Sequence, residues 1–144
     1  MKRIYAKEEY CIGCRLCEIY CIFEHSGHQT LVKAFRDEEN LPEPAVLVEE
    51  EGPISFALQC RHCEDAPCVA ACIAGAMTRD PETGVVHHDL EKCVGCWSCV
   101  MMCPFGGIHI DVEEGKVVSK CDLCGQEGTP ACVLHCPNEA LVYE

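Results

Sequence analysis

The apolar positions of this chain fall in short alternating runs of the kind that make half-buried strands. Ala45-Val46-Leu47-Val48 and Ile54-Ser55-Phe56-Ala57-Leu58 are two such runs, and they predict a strand pair joined across Glu49 to Pro53. Gly107-Ile108-His109-Ile110-Asp111-Val112 continues through Glu113-Glu114-Gly115-Lys116 into Val117-Val118, a β-hairpin whose short turn contains Gly115. Gly84-Val85-Val86-His87-His88 and Ala140-Leu141-Val142-Tyr143 are further strand candidates. Between these runs the chain is punctuated by cysteine. Wherever two cysteines stand four residues apart, a helical turn is expected to carry them.

The cysteines form four groups of four with none left over: Cys11, Cys14, Cys17 and Cys21; Cys60, Cys63, Cys68 and Cys72; Cys93, Cys96, Cys99 and Cys103; and Cys121, Cys124, Cys132 and Cys136. In each group three lie on a loop, and the fourth stands one helical turn beyond the third. A cubane iron–sulfur cluster needs one thiolate at each of four irons, and a tight Cys-x2-Cys-x2-Cys loop can wrap three corners while the fourth ligand comes from elsewhere. In two-cluster ferredoxins a proline commonly follows the fourth cysteine, as in Cys103-Pro104 and Cys136-Pro137. Groups one and two carry Ile22 and Ile73 there instead. Proline supplies backbone shape and no ligand, so the chemistry remains. Structural zinc would ask for two Cys-x2-Cys knuckles a dozen or more residues apart, and groups one and three crowd their cysteines too closely for that.

Sixteen cysteines in 144 residues demand a disulfide scaffold or a metal-binding chain in a reducing compartment. The N-terminus Met1-Lys2-Arg3-Ile4-Tyr5-Ala6 runs straight into acidic residues and Cys11, without the apolar stretch of a signal peptide, so a cytoplasmic location is expected. No run approaches the roughly 18 apolar residues that span a bilayer, so no direct membrane insertion is expected. The formal charge of −13, with acidic runs at Asp37-Glu38-Glu39 and Glu49-Glu50-Glu51, argues against nucleic acid and anionic lipid as partners. The runs themselves read as solvated loops or as docking surfaces for basic redox partners. Residues 22–59, which contain no cysteine, read as an insertion or a partner-binding arm. With cysteine this dense, clusters replace much of the apolar core, and the chain without metal is expected to be largely unfolded.

The four groups resemble those of the polyferredoxin-type electron-transfer subunits that stand beside molybdenum oxidoreductases such as dimethyl sulfoxide reductase and formate dehydrogenase. The longer gaps of groups two and four, Gln59-Cys60-Arg61-His62-Cys63 and Ala66-Pro67-Cys68 carry that likeness. The opening Cys11-Ile12-Gly13-Cys14-Arg15-Leu16-Cys17-Glu18 and the short chain are closer to the ferredoxin-like subunit that accompanies carbon monoxide dehydrogenase. The resemblance implies an α+β fold of two ferredoxin-like [4Fe-4S] modules, with short strands, short helices and a cluster-organised core. One module would comprise 1–21 with 108–144 and carry groups one and four; the other would comprise 60–107 and carry groups two and three. It also implies four [4Fe-4S] clusters with crossed fourth ligands. Cys11, Cys14 and Cys17 would be completed by Cys136; Cys121, Cys124 and Cys132 by Cys21; Cys60, Cys63 and Cys68 by Cys103; and Cys93, Cys96 and Cys99 by Cys72.

Such a chain passes electrons by one-electron hops and needs no catalytic acid, base or nucleophile. By resemblance the donor is a catalytic dehydrogenase subunit, carbon monoxide dehydrogenase first, and the acceptor a hydrogenase or a flavin-dependent pyridine-nucleotide reductase. A molybdenum or tungsten oxidoreductase is the alternative partner. An enzyme with its own site finds no nucleotide loop and no radical-type cysteine triad in the sequence. A filament or scaffold subunit, assembled through residues 22–59, is a third reading. Arg15, Arg61 and His62 lie inside cysteine loops, where they would raise a nearby potential or else face solvent and cap carbonyls. Trp97 would screen a cluster or simply pack. His87 and His88, adjacent on a strand, should face opposite sides and receive no role.

Overall fold

A computed structural model of the chain describes residues 1–36, 41–111, 116–126 and 128–144. The acidic run at 37–39 and the turn glycine Gly115 lie outside the described residues. The elements, in chain order, are β1 (Ile4–Ala6), α1 (Leu16–His25), α2 (Leu31–Arg36), β2 (Val46–Glu51), β3 (Ile54–Gln59), α3 (Pro67–Ala71), β4 (Met77–Arg79), β5 (Val86–His88), α4 (Ser98–Met102), β6 (Ile108–Asp111), β7 (Lys116–Lys120), α5 (Ala131–Leu134) and β8 (Leu141–Tyr143). This is the expected α+β fold of short strands and short helices.

The strands form antiparallel pairs. β1 pairs with β8, so the first and last strands of the chain lie side by side. β2 pairs with β3 as the alternation predicts, but the strand runs on through Glu51, leaving Gly52 and Pro53 as the turn. Gly52, at φ +59, supplies the left-handed backbone that so tight a turn requires. β6 pairs with β7, with a register shift between His109 and Ile110. β5 pairs with β4, a three-residue strand that the apolar pattern does not announce.

Period-two alternation puts Val46, Val48 and Ala57 inward, where they pack with Ile4 and Leu141 and with Cys17, Cys21, Cys121 and Cys132. The hairpin of residues 46–59 is thus a wall of the core that holds cysteines of groups one and four. A second apolar cluster joins Cys68 of group two and Cys99 of group three to Met77, Val86 and Ile108. The helices divide in the same way, α1 packing beside α5 and α3 beside α4. Cys60 and Val85 belong to the first cluster although their neighbours in sequence serve the second, so the two cores meet at these residues. Among the described residues, no helix is long and apolar enough to cross a membrane.

Candidate metal centre

Each helix that carries cysteines begins just before the third cysteine of a group: Cys17 on α1, Cys68 on α3, Cys99 on α4 and Cys132 on α5. Cys21 stays within α1, whereas Cys72 and Cys103 cap the ends of α3 and α4. The loops ahead of the helices bend through left-handed residues, Gly13 and Arg15 in group one and Gly95 and Trp97 in group three. His62 does the same in group two, and Leu123, Cys124 and Gly125 in group four. Backbone of this kind turns successive amide groups toward one concavity, a shape suited to an anionic group.

Among the described residues, cavities open where these loops meet helix ends. One of about 350 Å³ is lined by Cys11, Cys14, Cys17 and Cys136, with Val48, Ala57 and Leu141 as apolar walls. A second, of about 300 Å³, is lined by Cys93, Cys96, Cys99 and Cys72. A third, of about 310 Å³, is lined by Cys121, Cys124, Cys132 and Cys21. In the remaining set, Cys60 and Cys103 both lie close enough to push the Cys63 and Cys68 thiols up, on top of the larger effect of burial. Each set joins three cysteines of one group to the fourth cysteine of another.

The donor chemistry fits an iron–sulfur cluster. Among the described residues no three His, Cys, Asp or Glu side chains close on a point as one metal ion would require. The cysteines instead ring voids, as a cluster with four corners requires. Burial pushes Cys17 up to about 12, Cys121 up to about 12 and Cys132 higher still, so these thiolates need nearby positive charge, which iron supplies. Backbone amides already donate to sulfur: Ala45 to Cys21 at 3.3 Å, His62 to Cys60 at 3.4 Å and Ala140 to Cys136 at 3.2 Å. Hydrogen bonds to sulfur favour the charged form and orient the ligand.

The loop residues singled out from the sequence differ in fate. Arg15 reaches Glu18 at 3.2 Å and Glu50 at 3.7 Å, so it is paired on the surface. Arg61 stacks over the Phe105 ring at 4.5 Å. His62 does not face solvent at all; it is fully buried and its Nδ1 accepts the Val86 N–H at 3.0 Å. Trp97 lines the group-three cavity. His87 and His88 do face opposite ways, but His88 also lines that cavity, and its Nε2 is buried without a hydrogen-bond partner among the described residues.

Sequence reasoning missed His25 as well. Its Nε2 donates to Asp122 at 3.1 Å and its Nδ1 to the Cys21 carbonyl at 2.8 Å. Two acceptors require both ring nitrogens to carry protons, and the hydrogen bond to Asp122 is the main cause that pushes His25 up to about 11. The imidazolium therefore stands at the rim of the group-four cavity. His25 follows Cys21 by one helical turn, the one signal in the sequence that pointed to it.

Residues 54–144 match the family described as 4Fe-4S dicluster domain. The chain belongs to that family. It is 39% identical to "Electron transport protein HydN" of Escherichia coli (strain K12), covering 96% of this chain and 85% of that protein. It is 35% identical to "Thiosulfate reductase electron transfer subunit PhsB" of Salmonella typhi, over 94% of this chain and 71% of that protein. Against "Putative oxidoreductase AegA" of Escherichia coli (strain K12) the identity is 39% over 96% of this chain, which spans 21% of that longer protein. Among solved structures, a chain of the active site complex BamBC of benzoyl coenzyme A reductase, as isolated, superposes with a TM-score of 0.51. That match has 22% identity and covers 100% of this chain and 76% of the other, a likeness of fold. The dicluster family chain is thus an iron–sulfur electron-transfer protein that carries [4Fe-4S] clusters.

Proposed function

We propose that this chain relays electrons, one at a time, through four [4Fe-4S] clusters between a catalytic dehydrogenase and a second redox protein. The observation that carries the reading is that a loop of three cysteines from one group meets the fourth cysteine of another at each cavity. The ligand sets are Cys11, Cys14, Cys17 with Cys136; Cys121, Cys124, Cys132 with Cys21; Cys60, Cys63, Cys68 with Cys103; and Cys93, Cys96, Cys99 with Cys72. The clusters supply one-electron redox chemistry at potentials set by their surroundings. The protein holds them on thiolates, directs backbone amides at those sulfurs, and excludes water with Val46, Val48 and Pro130. Two modules follow, one from the chain ends and one from residues 60–107, with the 22–59 segment supporting the first. The cytoplasm, where thiols stay reduced, is the compartment that suits it.

Carbon monoxide dehydrogenase is the favoured donor, on the strength of the Cys11–Glu18 opening, with a hydrogenase or flavin-dependent pyridine-nucleotide reductase as acceptor. The relative named as a thiosulfate reductase electron transfer subunit supports a second reading. There the chain is the iron–sulfur subunit of a molybdenum or tungsten oxidoreductase. Anaerobic purification from the native cells, with mass spectrometry of the co-purifying proteins, separates the two.

The ligand sets are tested by serine substitution and electron paramagnetic resonance of the reduced protein. Cys136→Ser should alter the same cluster signal as Cys11→Ser and leave that altered by Cys121→Ser intact. If Cys136→Ser and Cys121→Ser perturb one signal together, the fourth ligand stays within its own group and the crossed sets are wrong.

A further inference from the structure

β7 ends on Lys120, directly before the first cysteine of group four. Its ammonium donates to the carbonyl oxygens of Val86 and, at 3.1 Å, of Cys121. Val86 packs in the apolar cluster with Cys68 and Cys99, and Cys121 packs in the other with Cys17, Cys21 and Cys132. The half-buried cation therefore sits at the seam where the two cores meet.

Two carbonyl oxygens accept two of the ammonium's three hydrogen bonds but do not neutralise its charge. The chain has 24 acidic residues, yet among the described residues no carboxylate pairs with Lys120. A cation withdrawn from water without a counter-charge is costly, so the arrangement calls for anions close by. The field of Lys120 reaches both ways. Cys121 lies beside Lys120 in the chain, and Val86, whose carbonyl the ammonium holds, gives its N–H to the His62 ring at 3.0 Å, while the His62 N–H reaches the Cys60 sulfur at 3.4 Å.

The two sites flanking this cation share a further property. Groups one and three each present an exposed cysteine, Cys14 and Cys96. The sets Cys60, Cys63, Cys68, Cys103 and Cys121, Cys124, Cys132, Cys21 contain none. An added electron is least welcome at sites shielded from water, because burial penalises extra charge. Left alone, these would be the lowest-potential stations on the path.

We propose that Lys120 is the fixed counter-charge shared by these two shielded sites, and that it raises their potentials so that electrons cross the interior without an uphill step. The electron enters from the donor protein and leaves to the acceptor, and Lys120 takes no part in the transfer. This inference rests on the four-cluster reading above.

The test is a redox titration of the full holo protein followed by electron paramagnetic resonance, with signals assigned through Cys63→Ser and Cys124→Ser. Lys120→Met should lower the reduced-to-oxidised ratio of the two shielded clusters at least about tenfold at fixed potential, a shift of 59 mV for one electron. The other two clusters should move much less, and Lys120→Arg, which keeps the charge, should restore wild-type values. Unchanged potentials in Lys120→Met, or an equal shift of all four, would overturn the proposal. Should Lys120→Met fail to assemble, Lys120→Gln keeps a donor for the carbonyls without the charge and is titrated instead. If both uncharged variants fail while Lys120→Arg assembles, Lys120 is a folding residue and the tuning role is wrong. Fewer than four signals in the wild-type chain would overturn the four-cluster reading itself, while the Lys120 comparison still stands on the signals that remain.

Discussion

At the scale of single residues, His62 shows how a side chain inside a cysteine loop is committed to the core. Burial is the largest cause that lowers its pKa to about 3, so it is neutral, and its Nδ1 is an acceptor occupied by the Val86 N–H. That bond ties the group-two loop to β5 across 24 residues of chain. His62→Phe preserves much of the ring volume but leaves the Val86 amide buried without an acceptor. The expected cost is about 1 kcal/mol, because the change also removes the buried His62 Nε2–H, which has no hydrogen-bond partner among the described residues, and it is read as a lower denaturant midpoint of the holo protein with the slope unchanged. A wild-type midpoint would mean that the amide finds another partner and that the bond contributes little. Sequence spacing placed His62 beside the ligands but could not give its direction, because which way a loop side chain turns depends on the strand that closes over it.

The same limit operates at the scale of elements. The hairpin of β2 and β3 was legible because two runs of alternating apolar residues define their own register, and β6 with β7 was legible for that reason. β4, three residues long, carries too little pattern to announce itself and exists because β5 is there to pair with it. The four cysteine groups were legible as spacing alone, whereas the proposed crossed ligand sets were implied only by resemblance, since they would depend on β1 meeting β8 and α3 meeting α4. Lys120 directly precedes Cys121 and His88 stands five residues before Cys93, yet nothing in their local sequence says which way their side chains turn. Gly107 belongs here as well. A Cβ on it would stand 2.7 Å from the Cys60 nitrogen and 2.8 Å from its Cα, backbone atoms that cannot swing aside. Gly107→Ala should therefore part β6 from the Cys60 loop, costing roughly 1–3 kcal/mol. Cys103 lies just before this contact and Cys60 lies on it, so on the proposed ligand sets the cluster assigned to them should lose iron first on mild heating. Equal iron loss from all sites would remove this contact from the account.

At the scale of the whole molecule, the clusters decide whether there is a fold at all. Both apolar cores are small and built partly of cysteine: the second gathers Ala66, Met77, Val86 and Ile108 around Cys68 and Cys99. Without iron and sulfide the cavities ringed by these cysteines would lose their filling, while burial would still oppose ionisation of the Cys17, Cys99, Cys121, Cys124 and Cys132 thiols that line them. Ionising them without metal would add negative charge to a chain already at −13. Paired strands of three residues, such as β1 with β8 and β4 with β5, bury too little to hold themselves together once these centres empty. Cluster binding energy is therefore folding energy for this chain. Anaerobic chelation with a mild oxidant should collapse the far-ultraviolet circular dichroism toward that of an unfolded chain, and iron, sulfide and thiol should restore it. A native-like spectrum that survives complete loss of iron would show that the apolar cores suffice alone.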